Sequence, residues 1–182
     1  PQILASASRV QPTVERFAAR DVKRAFVQLK QDETDEFPSG TAFYSSRVAP
    51  VAPGYSDGRV KTFIQTLSQR DIEPMGWLPV LNDAQAAKAH PEWQSQRITA
   101  DGGLEDEPGW LCPFNPAVAQ YEASIAKESA ATFPNLAGLY LDFIRYDDDF
   151  SCAGPAAFTA LEKRTRWRKK MGRPLVAMDI RA

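Results

Sequence analysis

Gly138-Leu139-Tyr140-Leu141-Asp142-Phe143-Ile144-Arg145-Tyr146 is the stretch that decides the fold. Leu139, Leu141, Phe143 and Ile144 favour a pleated, packed surface, and Pro134-Asn135 ends whatever helix precedes them. Residues from about Leu136 to Arg145 therefore read as a buried strand. Asp142 lies inside it, and a carboxylate is costly to bury unless paired or hydrogen-bonded. Arg145 is close enough along the chain to be its charge partner, although odd spacing puts the two on opposite faces unless the strand bends. Two readings stand side by side. One makes Asp142 a reactive carboxylate at the rim of a site; the other makes it half of an ion pair that only fixes the sheet edge.

Upstream, two more strands and their helices follow the same order. Thr13–Arg20 has apolar residues at helical spacing, and Ala25–Lys30 is short, apolar and partly alternating. A polar run and a Pro- and Gly-bearing connection from Phe37 to Asp57 separate it from a second helix over Gly58–Arg70. Glu73–Leu81 reads as the second strand, with Asn82-Asp83 at its end. Its two prolines predict a bulge or an early stop. A long loop carries His90-Pro91-Glu92-Trp93 and Trp110, and Asn115-Pro116 reads as an N-cap followed by proline at the first helical position. That helix runs from about Ala117 to Thr132. Ala156–Lys170 is a last, increasingly basic helix, and Pro174–Ile180 either starts a fourth strand or ends the chain irregularly.

Strand, loop, helix repeated in this way argues for a parallel sheet covered by helices. The long polar loops all follow strands and the returns from helix to strand are short, as in (β/α) barrels. Open doubly wound sheets share the habit, but no phosphate-binding glycine motif is present. The chain of 182 residues is the size of one domain, 1–182, whereas a complete barrel takes about 250 residues. The expected architecture is thus α/β, a (β/α)8 TIM-type barrel with about half of its strand-helix units. A start at Pro1 is expected of a processed form or a piece of a longer chain.

The charge balance, 22 basic against 23 acidic residues, gives no electrostatic case for nucleic acid as the main partner. No apolar run is long enough for a membrane-spanning helix. Cys112 and Cys152 lack metal or redox spacing and read first as two ordinary thiols, with a disulfide as the alternative in an exported protein, and one histidine rules out a His-rich metal site. No cofactor is expected. Asp147-Asp148-Asp149 is a candidate cation site by ligand type, but its spacing fits a solvated acidic turn better. Lys30 and Asp32, with Glu33, close the first strand, where they line a pocket or simply a charged loop. Trp77 reads as core, while Trp93 and Trp110 lie in polar loops where stacking on a ligand is more competitive. His90 alone reads as a surface residue.

Four segments in register resemble the glycoside-hydrolase-like barrels, especially the bacterial family-10-like glycosyl hydrolases. They are GWLPVLND at Gly76–Asp83, HPEW at His90–Trp93, LCPFNPAV at Leu111–Val118 and GLYLDFIRY at Gly138–Tyr146. The resemblance spans roughly residues 22 to 165. It implies a barrel that acts on, or binds, a poly- or oligosaccharide, with Asp142 as the leading catalytic carboxylate. Arg145 and Tyr146 would orient the substrate, with Trp77, His90 and Asn115 at the rim beside Asn82, Asp83, Lys30 and Asp32. It favours an extracellular or periplasmic setting. Ala137 departs from the acidic residue usual before the strand. Glycosidases also need a second carboxylate, about 5–5.5 Å or about 6.5–9.5 Å from the first. Asp32, Asp83 and Glu92 are the candidates. A carbohydrate-binding or assembly domain without catalysis is the alternative.

Overall fold

A computed structural model of the chain describes residues 6–33, 36–145 and 152–175. Three parallel strands form the main sheet: β1 (Arg24–Gln28), β2 (Glu73–Pro79) and β5 (Gly138–Asp142), in the spatial order β1-β2-β5. Helices α1 (Val10–Ala18), α2 (Arg59–Ser68) and α4 (Pro116–Thr132) alternate with them. Between β2 and α4 lie a short helix α3 (Ala84–Ala89) and an antiparallel hairpin of β3 (Gln94–Ile98) and β4 (Leu104–Leu111). Helices α5 (Pro155–Thr165) and α6 (Trp167–Met171) follow β5.

The two helix-to-strand returns before β1 and β2 are built alike. Phe17-Ala18-Ala19-Arg20-Asp21-Val22 and Leu67-Ser68-Gln69-Arg70-Asp71-Ile72 each end their helix with an aspartate at φ 55°. The next residue's N–H then bonds back to the carbonyl five residues earlier, Val22 to Phe17 and Ile72 to Leu67. Aspartate tolerates this left-handed conformation better than most residues, and the closing bond satisfies a helix-end carbonyl. The returns are short because the turn is tight, so the strands' other ends are left to carry the long loops.

Register divides the sheet into two faces. Val27, Leu29 and Leu78 point into the main core with Val14, Phe43, Phe63, Ile64, Leu67, Ile125 and Phe133. Gly76 belongs to that layer because a Cβ there would stand 2.8 Å from Leu29 Cδ1 and 2.9 Å from Leu139 Cδ2. The opposite face carries Phe26, Met75 and Gly138 in one cross-strand row and Gln28, Trp77 and Tyr140 in the next. Phe26 and Tyr140, whose rings meet edge to face at 5.2 Å, are both about half exposed.

Several expectations are corrected here. The Gly138–Asp142 strand is not buried: Tyr140, Leu141 and Ile144 stay 46–62% exposed, since among the described residues β5 pairs only with β2. Of the bulge or early stop expected from the prolines of β2, the early stop is what forms. Pro79 closes the strand, while Pro74 sits near its start, where its carbonyl still accepts the Ala137 N–H. The long loop after β2 holds α3 and the hairpin, whose strands are too polar for alternation to betray them. The final helix breaks at Arg166, which adopts φ 54° between α5 and α6. Cys112 and Cys152 are not free thiols but form a disulfide that ties the end of β4 to the start of α5. No closed barrel forms among the described residues, and the possible strand at Pro174–Ile180 lies outside them from residue 176 onward.

Candidate active site

The C-terminal ends of β1, β2 and β5 carry two clusters of polar side chains, one sealed and one open. The sealed cluster is centred on Lys30, which is fully buried. Its ammonium donates to Asp83 Oδ2 at 3.1 Å and to both oxygens of Glu122, on α4, at 2.9 and 3.1 Å. The Tyr121 hydroxyl donates to the same Asp83 oxygen at 3.1 Å. Asp83 Oδ1 accepts the Ala86 N–H at 2.7 Å, so this carboxylate also caps α3. Gly40 seals the pocket from above. It holds φ +88°, and a Cβ there would fall 1.8 Å from Asp83 Oδ1.

One cation between two buried carboxylates leaves a surplus negative charge. Burial, opposed by the attraction of Lys30 and helped by the neighbouring Asp83, raises Glu122 to about 7. Burial together with the neighbouring Asp83 and Glu122 pushes the Tyr121 hydroxyl well above its usual range, so it remains a donor. The cluster has every polar contact it needs and no room for a ligand. Lys30 and Asp83, expected to contact substrate, are instead the frame that joins β1, β2 and α4. Glu122, which no local motif distinguishes, is the partner that the sequence did not disclose.

The open cluster surrounds Asp142, the last residue of β5. Its Oδ2 accepts the Trp77 indole N–H at 3.1 Å and its Oδ1 accepts the Phe143 N–H at 2.8 Å. The carboxylate is partly exposed and has no ion pair among the described residues. Arg145 is not the charge partner expected of it. Its guanidinium lies over the rings of Phe143, at 4.9 Å, and Trp110, at 5.9 Å, so neutral donors hold Asp142 instead. Trp77 is not core; it is half-buried on the open sheet face.

Asp32 joins this side of the sheet. Its Oδ1 accepts the side-chain amide N–H groups of Gln28, at 2.9 Å, and Gln31, at 3.0 Å. Gln28 and Trp77 are direct partners in adjacent strands, so the donors that hold Asp32 and Asp142 are neighbours in one row. A cavity of about 400 Å³ opens beside the sealed cluster, lined by Glu33, Ser39, Asn82, Ala84, Pro108, Gly109 and Trp110. Asn82 and Trp110 face each other there across a single β-bridge.

The remaining expected rim residues are elsewhere. His90 stacks on Trp93 at 3.8 Å, meets Glu92 at 3.3 Å and stands exposed at the base of the hairpin. Trp93 packs on Tyr121, and both are part of the second core cluster. Asn115 caps α4 through the Ala117 N–H, and its amide donates to the Glu92 carbonyl, so both of its polar groups serve the fold. Glu92 is thereby drawn to the hairpin base. Tyr146 and Asp147–Asp149 lie outside the described residues. Among the described residues no group of His, Cys, Asp and Glu could hold a metal ion, and no helix is long and apolar enough to cross a membrane.

Comparison with known proteins bears on this geometry. Residues 2–169 match a family model described as "Putative glycosyl hydrolase domain". No curated protein matches the chain. Among solved structures, a hypothetical protein from Ruminiclostridium thermocellum shares 19% identity at a TM-score of 0.60, over 95% of this chain and 90% of that one. The PgaB (BpsB) glycoside hydrolase domain from Bordetella bronchiseptica shares 20% identity at a TM-score of 0.66, over 96% of this chain and 47% of that one. An α-L-fucosidase isoenzyme from Paenibacillus thiaminolyticus shares 13% at a TM-score of 0.62, over 86% of this chain. This chain spans 23% of the fucosidase chain and under half of the PgaB chain.

Proposed function

The chain belongs to the glycosyl hydrolase domain family, and from that membership we propose that it is an O-glycosyl hydrolase whose acting carboxylate is Asp142. The observation that carries the proposal is the way Asp142 is held. Two neutral N–H donors fix its orientation at the C-terminal end of a parallel strand, and among the described residues no cation forms an ion pair with it. That is what a nucleophile, stabiliser or base of glycoside cleavage requires: a placed carboxylate, open to a substrate.

Asp32 is the best-placed second carboxylate. Asp83 is locked to Lys30, Tyr121 and the start of α3. Glu92 is drawn to His90 at the hairpin base. Asp32, in contrast, is partly exposed and held by Gln28, the strand partner of the tryptophan that holds Asp142. Asp32 follows β1 and Asp142 ends β5, with β2 between them, so two strand spacings of about 4.8 Å each separate the strands that carry the pair, near the wide end of the separations glycosidases use. One carboxyl group would protonate the departing glycosidic oxygen. The other would either take a proton from the attacking water or attack the anomeric carbon itself.

The strand order, the short returns and the site at the strands' C-terminal ends support reading residues 1–182 as one domain, part of a (β/α)8 barrel. Trp77 and Tyr140, aromatic and partly open on the same face, supply a surface on which a sugar ring can pack; they equally favour the second reading, a carbohydrate-binding domain without turnover. Asn82 and Trp110 in the neighbouring cavity extend that surface. The disulfide supports an extracellular or periplasmic setting, where such bonds persist. The test is release of reducing ends from a panel of soluble polysaccharides. Asp142→Asn and Asp32→Asn are each expected to abolish it while the unfolding midpoint stays put. Turnover that survives Asp142→Asn sinks the assignment, and glycan binding without turnover in the unaltered chain selects the second reading.

A further inference from the structure

The elbow between α5 and α6 carries a dense run of basic side chains, and the hydrolase reading makes no use of it. Residues 163–173 contain seven of the chain's 22 basic residues and no acidic one, so the rest of the chain carries 15 basic against 23 acidic residues. Lys163, Arg164, Arg166, Arg168, Lys169 and Lys170 are all exposed. At Arg166, φ 54° turns the chain, and the turn opens a groove of about 400 Å³ lined by Thr159, Glu162, Lys163, Arg166, Arg168 and Lys169.

Helix electrostatics explain only part of this. Lys163 and Arg164 sit in the last turn of α5, where cations are favoured. Arg168, Lys169 and Lys170 end the short α6, where the same effect applies, yet with Arg166 they crowd one turn, in which like charges repel one another. The single carboxylate of the groove is already engaged: Glu162 accepts from Arg168 at 2.7 Å and from the Leu175 N–H. Among the described residues no carboxylate forms a salt bridge with Lys163, Arg166 or Lys169. The Trp167 indole N–H at the same elbow is buried and likewise has no acceptor among the described residues. The groove thus presents donors and positive charge and almost no acceptor capacity of its own.

We infer that this elbow binds an anionic polysaccharide, a strand bearing carboxylate groups. The choice of a glycan rests on the hydrolase reading. Of the other polyanions, a lipid surface fits less well because the elbow exposes one large apolar side chain, Met171, and so has little to insert. Nucleic acid fits less well because the Cys112–Cys152 disulfide belongs to oxidising compartments. The cations would meet the polymer as exposed ion pairs, individually weak, collectively useful and sensitive to salt.

Binding of polygalacturonate to the full chain, titrated by calorimetry at low and moderate salt, tests the proposal. The comparison is with Lys163→Gln/Arg166→Asn/Lys169→Gln, in which asparagine suits the left-handed turn. All three changes are exposed, and an unshifted unfolding midpoint verifies the fold. Binding is expected to weaken about tenfold in this variant, as three exposed charge contacts would give. It is also expected to weaken with salt, and to persist in Asp142→Asn. Lys163→Arg/Lys169→Arg should bind like the unaltered chain. No binding, or equal binding by the triple variant, overturns the inference. Loss in Asp142→Asn alone moves the anion to the rim, which overturns the elbow and leaves the hydrolase reading standing. Tighter binding of phosphatidylglycerol vesicles or duplex DNA than of polygalacturonate overturns the choice of partner.

Discussion

The Lys30 cluster and the Asp142 rim stand at the same end of the same sheet, and they treat charge in opposite ways. In the first, one ammonium is shared by two carboxylates, a tyrosine closes the set, and side-chain exposure falls to between 0 and 11%. In the second, a lone carboxylate is oriented by an indole and a backbone N–H and faces outward. The difference separates two jobs that a list of polar residues at strand ends would merge. A charge satisfied on all sides holds elements together; a charge that is placed but left unneutralised is available to a substrate.

The contrast is broken most severely at its buried member. Lys30→Met leaves Asp83 and Glu122 buried without compensation, and a loss of about 3–5 kcal/mol in unfolding free energy is expected from denaturant titration. A loss below about 1 kcal/mol would mean that the cluster is not the frame. The rim side has a covalent counterpart to this frame in the disulfide, which closes a loop of 40 residues. Cys112→Ser/Cys152→Ser should cost about 3–4 kcal/mol by the same measurement.

Acidity sharpens the comparison further, because the buried carboxylate should report on stability. Glu122 is raised to about 7 in the folded chain, mainly by burial, from an ordinary value of 4.5. An acid whose folded value is raised contributes its stabilisation fully below the unfolded value and loses it as pH climbs through the folded one. Between pH 4.5 and pH 7 the Glu122 contribution should therefore decline, by a loss on the order of 3 kcal/mol. Glu122→Gln should flatten that part of the profile. A Gln variant with an unaltered pH slope would assign the slope to other groups. The smallest effect is expected at Trp77→Phe, which removes one hydrogen bond to Asp142 and should cost about 1 kcal/mol of stability. Its turnover should fall by more than that stability loss explains.

Much of this was readable in the residues. Asn115-Pro116 announced the start of α4 because both the cap and the proline act locally. The three parallel strands were legible because apolar runs bounded by prolines and polar loops need no partner to be recognised. Asp142 stands out in the sequence because a carboxylate in such a run demands partners, and the Trp77 and Phe143 N–H groups supply them. What stayed hidden depends on contacts between distant residues. The hairpin of Gln94–Leu111 is polar on both faces, so no periodicity marks it. Lys30 and Asp83 read as strand-end groups at the rim of a site, and only the approach of α4, with Glu122, seals them. Two cysteines 40 residues apart carry no spacing signal, and Arg145 turns from the expected ion pair to aromatic rings because Phe143, at φ 52°, bends the strand end.

The claim that framework and chemistry are separated at this end of the sheet is tested most directly by one paired measurement. Polysaccharide turnover and unfolding free energy are determined for Asp142→Asn beside the unaltered chain. The account predicts turnover abolished and stability kept within about 1 kcal/mol, the cost of weakening one hydrogen-bonded contact. Turnover retained, or a stability loss as large as that expected for Lys30→Met, would contradict it.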